Sequence, residues 1–244
     1  VEQVVLTQPV SLHGSGAGTV IQAPASLPAY FISSGTTRNY PVVFANGAGE
    51  VHLQDLVVDG DRRGSSHYRF VGVGYYNTGG SIEGVEITKI TDTAFSGNQH
   101  GVGLYVFNID GALRNLEVFN SAIHDFQKNA TVFYGSGLVV EFHHNVITGA
   151  GPTGVTAQNG IQFSTGSSGQ VYGNTVSGIS YTGANWTASA VLVYDVYVVN
   201  VNHNTITGSQ TSIYHYGGNS TITGNTITTS AAATGTASVG RPSA

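Results

Sequence analysis

The phrase "QVYGNTVSG" at 170–178 returns, with small changes, as "FHHNVITG" at 142–149, "VNHNTITG" at 201–208 and "ITGNTITT" at 222–229. A chain that repeats itself stacks copies of one unit, because a single short unit cannot bury its apolar face alone. With the Asn as anchor, the phrase recurs at Asn115, Asn145, Asn174, Asn204 and Asn225. Asp55 and Gly84 fill the same slot in "VHLQDLVVDG" and "SIEGVEIT". The spacings are 29, 31, 30, 29, 30 and 21 residues, which is the period of a solenoid. Gly14 in "VSLHGSG" begins the series, ahead of a longer rung carrying a loop near residues 24–40.

Around each anchor the apolar residues alternate, as Val171 and Val176 do, so the anchor sits between two short strands. Earlier in each repeat comes a third strand: "VGVGYY" 71–76, "GVGLYVF" 101–107, "ATVFYG" 130–135, "GIQFSTG" 160–166, "SAVLVYD" 189–195 and "SIYHYG" 212–217. Three short strands per repeat make one coil of a single-stranded parallel β-helix, an all-β solenoid of about 7–8 rungs. The anchor Asn is expected at a tight bend with positive φ, which Asn tolerates. Stacked on the next rung, its amide donates to one neighbour and accepts from the other, forming an asparagine ladder. These Asn residues are therefore assigned to structure and given no chemistry.

Composition narrows the function. Net charge is −5 and only 9% of residues are charged, so no basic patch exists to hold nucleic acid. The longest apolar runs, such as "AVLVYDVYVV" at 190–199, are too short and too polar for a membrane span. There is no Cys, hence no disulfide or thiolate site, and no Met. The low charge and the Thr, Asn, Ser and Gly bias suit a bacterial protein that is secreted or held at the cell surface. The β-helix domain is expected over 1–229. The stretch 230–244, "SAAATGTASVGRPSA", lacks periodicity and is expected to be a C-terminal tail or linker, with further domains outside this chain.

The recurring pattern of Gly-Ile followed by "GNTI" resembles the right-handed parallel β-helix repeats of the pectate-lyase-like superfamily, over about residues 10–229. The opening "VEQVVLTQPVSLHGSGAGTVI" resembles the first rungs of secreted members, without the "PGTY" segment that precedes them, so the N-terminal cap is expected to be absent or supplied elsewhere. The resemblance implies a right-handed coil and a carbohydrate lying across the third strand. It does not fix an activity, because the superfamily includes lyases, polygalacturonases, epimerases, tailspikes, metal-handling proteins and adhesins. The "NTD", "DD", "GHG" and "RIK" motifs of polygalacturonases and the "YGFDPH" of mannuronan epimerases do not occur; "QHGVG" at 99–103 only echoes the third of these.

With Val71, Val102, Val132, Ile161, Val191 and Ile213 pointing inward, alternation sends Gly72, Gly103, Phe133, Gln162, Leu192 and Tyr214 outward. Two residues on come Gly74, Tyr105, Gly135, Ser164, Tyr194 and Tyr216. Aromatic rings with polar rims suit sugar faces, although Tyr is also simply a good strand former. Polysaccharide is thus the expected partner, with Tyr105, Phe133, Gln162, Tyr194 and Tyr214 as contacts. The lone tryptophan, Trp186, lies in a second loop, "SYTGANWTASA" at 180–190, and is expected beside Tyr194.

The alternative is a lyase or epimerase acting on a uronic-acid polymer. Such an enzyme needs a proton acceptor and a cation for the sugar carboxylate. The candidates are His100 with Tyr105, Arg69 one rung earlier and Lys128 one rung later; His67 is a further option. A second alternative is a non-catalytic structural or adhesin module. No cofactor is expected. Ca²⁺ would need six to eight oxygens, and the third strands offer only Asp195. No metal site is expected either. His144 and His203 share the slot before the anchor but lie two rungs apart, about 9–10 Å, with Gly173 between them and His143 pointing the other way. The charged stretch "DLVVDGDRRGSSHYR" at 55–69 reads as a solvated loop whose charges pair with each other.

Overall fold

A computed structural model describes residues 1–228 and the strand Ser238–Gly240. Strands hold 58% of the residues and helix 2%, which makes the chain all-β; the helix among the described residues is one 3-10 turn, Arg63–Ser66. Two long strands, Tyr40–Gln54 and Phe70–Glu83, lie side by side and fork the large sheet into two arms. One arm continues through Val102–Phe107, Asn129–Tyr134, Asn159–Ser164, Ser189–Tyr194, Thr211–Tyr216 and Ser238–Gly240. The other continues through Arg114–Phe119, Leu138–His143, Ser168–Tyr172, Val198–Asn202 and Asn219–Thr223. A separate eight-stranded sheet runs from Val20–Gln22 to Thr226–Thr228. Among the described residues, pairing is parallel throughout except in the hairpin Ile32–Ser34 with Thr37–Arg38. The chain gives a strand to each arm and one to the small sheet, then begins again, as a parallel solenoid does. Of the tail 230–244, only the backbone of Ser238–Gly240, paired with Thr211–Tyr216, falls within the described residues. No described helix is long and apolar enough to cross a membrane.

The core is made by stacking like on like. Leu104, Thr131, Ile161, Val191 and Ile213 lie in register, fully buried. Val106, Phe133, Phe163 and Val193 form the next inward column. This corrects the alternation expected from sequence. In one rung the inward residue is one position away from the expected one, Thr131 in place of Val132; in the rung before, the residue in register is Leu104, two positions beyond Val102 and on the same face. A one-residue slip exchanges faces, so Phe133 is 0% exposed and packs on Phe163 at 4.7 Å. It is a core residue and meets no ligand. Tyr105 and Gln162 keep their outward places, in register with Leu192 and Tyr214.

The ladder exists but starts later than the sequence count implies. Asn174 Nδ2 donates to Asn204 Oδ1 at 2.9 Å and to the carbonyl of Phe142, while its Oδ1 accepts from the backbone and side chain of Asn145. Asn204 donates in the same way to Asn225. Asn115 is not a member. It lies exposed in Arg114–Phe119, paired with Val139. Ser121 takes the slot, its backbone N–H donating to Asn145 Oδ1 and its hydroxyl accepting from Val85 N–H. The positive φ falls one residue before the anchor, at Asp55, Gly84, Asn120, His144, Gly173, His203 and Gly224, so Leu56 and Val85, not Asp55 and Gly84, hold the anchor slot of the early rungs. From His144 onward the bulky and the bare alternate: a Cβ on Gly173 would meet the His144 ring at 3.0 Å, and one on Gly224 the His203 ring at 2.9 Å.

Candidate functional site

The loop that follows Val20–Gln22 does not stand away from the molecule. It folds over the outer face of the first arm, and its Phe31 is 6% exposed. Phe31 stacks on Phe44 (5.5 Å, 8°) and meets Tyr76, Tyr105 and Phe107 at 5.6–5.9 Å. These rings form a second, smaller core outside the sheet. Two charged or polar side chains fasten the loop. Arg69 donates from both terminal nitrogens to the hydroxyls of Ser33 and Ser34, each at 3.0 Å. His67 accepts the N–H of Leu27 at Nε2 (3.0 Å), which puts its proton on Nδ1, facing the Arg63 carbonyl at 2.9 Å.

Where the hairpin ends, a cleft of about 200 Å³ opens. Its walls include Arg69, His100, Tyr105, Lys128, Asn129 and Gln162. All four residues proposed for chemistry therefore converge, and Gln162 joins them. Asn129 Nδ2 donates to Gln162 Oε1 at 2.6 Å, setting two amides side by side on the floor. Lys128 donates to the Ala157 carbonyl, and burial holds its ammonium below the usual lysine range. Burial pushes the Tyr105 phenol up.

His100 is not a solvated loop residue: it is 3% exposed. Its Nδ1 faces the N–H of Phe70 at 3.4 Å. Its Nε2 lies 3.1 Å from Asp92 Oδ1, close enough to pair but off the line of a good hydrogen bond, so Oδ1 is left without one. Asp92 Oδ2 accepts from Ser96, Asn98 (2.9 Å) and Gln127 (3.3 Å). Burial pushes the Asp92 carboxyl up, but the Ser96 and Asn98 hydrogen bonds, the His100 charge and Gln127 outweigh it and hold it below the usual carboxylate range. Burial pushes His100 below its ordinary value, and the attraction of Asp92 does not offset this. Both ring nitrogens of His100 thus face partners inside the protein. The sequence reading missed Asn129, which lines the cleft, and Asp92, which lies behind it against His100. Asp92 sits in an irregular loop with no periodic signal, and Asn129 was hidden by the register slip.

Beyond the cleft the same outer face is bare. Tyr194 and Tyr216 are in register and stacked, with centroids 5.0 Å apart and planes at 15°. They are 46% and 40% exposed. Tyr214 is half-buried beside Leu192. Trp186 is 72% exposed and stacks on no aromatic ring among the described residues. The charged stretch 55–69 is also more connected than expected: only Arg63–Asp61 pairs within it, while Asp59 pairs with Lys89 and Arg62 with Asp125 on neighbouring elements. Comparison with protein families, curated proteins and solved structures finds no match to this chain.

Proposed function

We propose that the chain is a right-handed parallel β-helix of the pectate-lyase-like kind, of about 7–8 rungs, secreted or displayed at a cell surface. On this reading it binds a polysaccharide along the outer face of the first arm. The right hand follows the general rule for parallel strands joined by crossovers. The observation that carries the binding reading is a continuous face on which a polar, cation-lined cleft gives way to the exposed Tyr194–Tyr216 stack. The amides of Asn129 and Gln162 offer directed hydrogen bonds, and the two Tyr rings offer a flat apolar surface with hydroxyl rims, the combination a sugar needs. Binding is favoured over turnover because neither nitrogen of His100 is free to take a substrate proton.

The lyase or epimerase reading rests on one observation, the buried His100–Asp92 pair opening on a cleft that also holds Arg69 and Lys128. One experiment separates the two. The chain is offered a panel of neutral and uronic polysaccharides, and both retention and the ultraviolet absorbance of unsaturated uronate are followed. Retention without new absorbance is the expected result. New absorbance that disappears in His100→Ala supports the enzyme reading. Neither retention nor turnover on any polymer rejects both.

A further inference from the structure

The second arm carries a group of side chains that glycan binding does not use. Glu117 and Glu141 are directly opposite each other across the parallel pair Arg114–Phe119 and Leu138–His143. Like charges placed so are destabilising. Among the described residues, neither carboxylate pairs with a Lys or Arg. His143 points the same way, with Nε2 3.0 Å from Glu117 Oε1. One ligating atom from each of the three residues lies within 4.8 Å of the others.

The imidazole is held, not merely nearby. Its ring is sandwiched between Phe119 (5.3 Å, 15°) and Tyr172 (4.7 Å, 9°). Its side chain is 12% exposed, against 48% for Glu117. Its other nitrogen, Nδ1, lies 2.9 Å from Nδ1 of His144. In the metal-free chain Nε2–H donates to Glu117 Oε1 and Nδ1 accepts from His144 Nδ1–H; a bound ion takes the place of the Nε2 proton, which is released to solvent. A metal-bound imidazole needs a hydrogen-bond partner at its second nitrogen, and His144 supplies one.

We propose that Glu117, Glu141 and His143 bind a divalent first-row transition ion, for which Zn²⁺ is the probe. Two carboxylate oxygens and one imidazole nitrogen are a mixed donor set that such ions accept, whereas Ca²⁺ and Mg²⁺ take oxygen. Tetrahedral zinc with bonds of about 2.0–2.2 Å sets its ligands about 3.4 Å apart. His143 and Glu117 are already near that separation, and the exposed Glu141 has freedom to close. Three protein ligands leave a position open to water or to an incoming donor. The ion would also remove the repulsion between the two Glu residues.

The test is calorimetric titration of the untagged full chain with Zn²⁺, and with Ca²⁺ in parallel. One saturable Zn²⁺ per chain is expected, with no comparable Ca²⁺ binding. Glu117→Gln and His143→Gln should each weaken Zn²⁺ by about tenfold or more, and His144→Phe by about tenfold through loss of the supporting contact. Glu141→Gln should leave the metal-free melting temperature equal or higher, since it relieves the like-charge contact, while lowering Zn²⁺ affinity. Replacing Zn²⁺ by Co²⁺ should give a visible absorption band that His143→Gln abolishes. Absence of saturable Zn²⁺ binding, or Zn²⁺ affinity unchanged in the Glu117→Gln/Glu141→Gln double variant, overturns the proposal.

Discussion

The two halves of this solenoid hold their coils together by different means. In the N-terminal half the bend is occupied by Leu56, Val85 and Ser121, without an amide ladder. Those coils are fastened from outside, by the loop that lays Phe31 over Phe44, Tyr76, Tyr105 and Phe107. In the C-terminal half, Asn145, Asn174, Asn204 and Asn225 link rung to rung from within, and the outer face is left open around Tyr194 and Tyr216. Apolar cover and a hydrogen-bonded bend do the same job. The second leaves the sheet face open, whereas the first leaves only the cleft at the edge of the cover.

The largest effect should come from removing the cover. Phe31→Ala deletes the centre of the outer aromatic cluster and should cost about 3–5 kcal/mol in chemical denaturation. A loss below about 1 kcal/mol would mean the loop merely rests on the sheet. Next is the ladder. Asn174→Ala removes the Oδ1 that accepts the Asn145 backbone and side-chain N–H, and leaves Asn204 Oδ1 with only the backbone N–H of residue 174, at a cost of about 1–3 kcal/mol. An unchanged melting temperature would show that the C-terminal coils do not depend on the amides.

Acid should act on the covered half first. The folded-state values of His100 and Asp92 are both depressed, so the unfolded chain binds more protons and stability falls as pH falls. The loss begins as pH drops through the ordinary His range near 6.5, and the Asp92 part follows below the ordinary carboxylate value of 3.8. Melting temperatures from pH 8 down to pH 5 should decline in the native chain and decline less in His100→Gln. Parallel curves would remove His100 from the account. The smallest effect on stability is expected at the bare face. Tyr194→Ala should change folding by no more than about 0.5 kcal/mol, and a larger loss would make the Tyr194–Tyr216 stack a structural device like the Phe31 cluster.

The difference between the halves also decided what could be read in the sequence. The C-terminal repeats are near-copies, so "GNTVSG" and "HNTITG" gave the strands, the ladder and the outward Tyr194 and Tyr214 directly. In the N-terminal half the hydrogen bonds that join the bends span 36 residues from Val85 to Ser121 and 24 from Ser121 to Asn145. Even spacing therefore pointed to Asn115 where Ser121 stands. In the third strands, the expected Val132 stands one position from the inward Thr131, which turns Phe133 inward. The convergence of Arg69, His100, Tyr105 and Lys128 was legible because each belongs to consecutive rungs near the same strand end. That Arg69 would spend its donors on Ser33 and Ser34 was not legible, because nothing local tells where a long loop lands. Nor was the Glu117–Glu141–His143 group, whose members meet only once the register is fixed.

The central claim is that the open face, from the cleft to the Tyr194–Tyr216 stack, is where a polysaccharide binds. It is tested most directly by affinity electrophoresis in gels carrying each polymer of the panel, comparing the native chain with the Tyr194→Ala/Tyr216→Ala double variant and with Gln162→Ala. The account predicts that at least one polymer retards the native chain. It predicts that the double variant, with an unchanged far-ultraviolet circular dichroism spectrum, loses about thirtyfold in affinity, as two stacking contacts worth about 1 kcal/mol each imply, and that Gln162→Ala loses less. Retardation that is equal in all three proteins, or no retardation by any polymer, would contradict it.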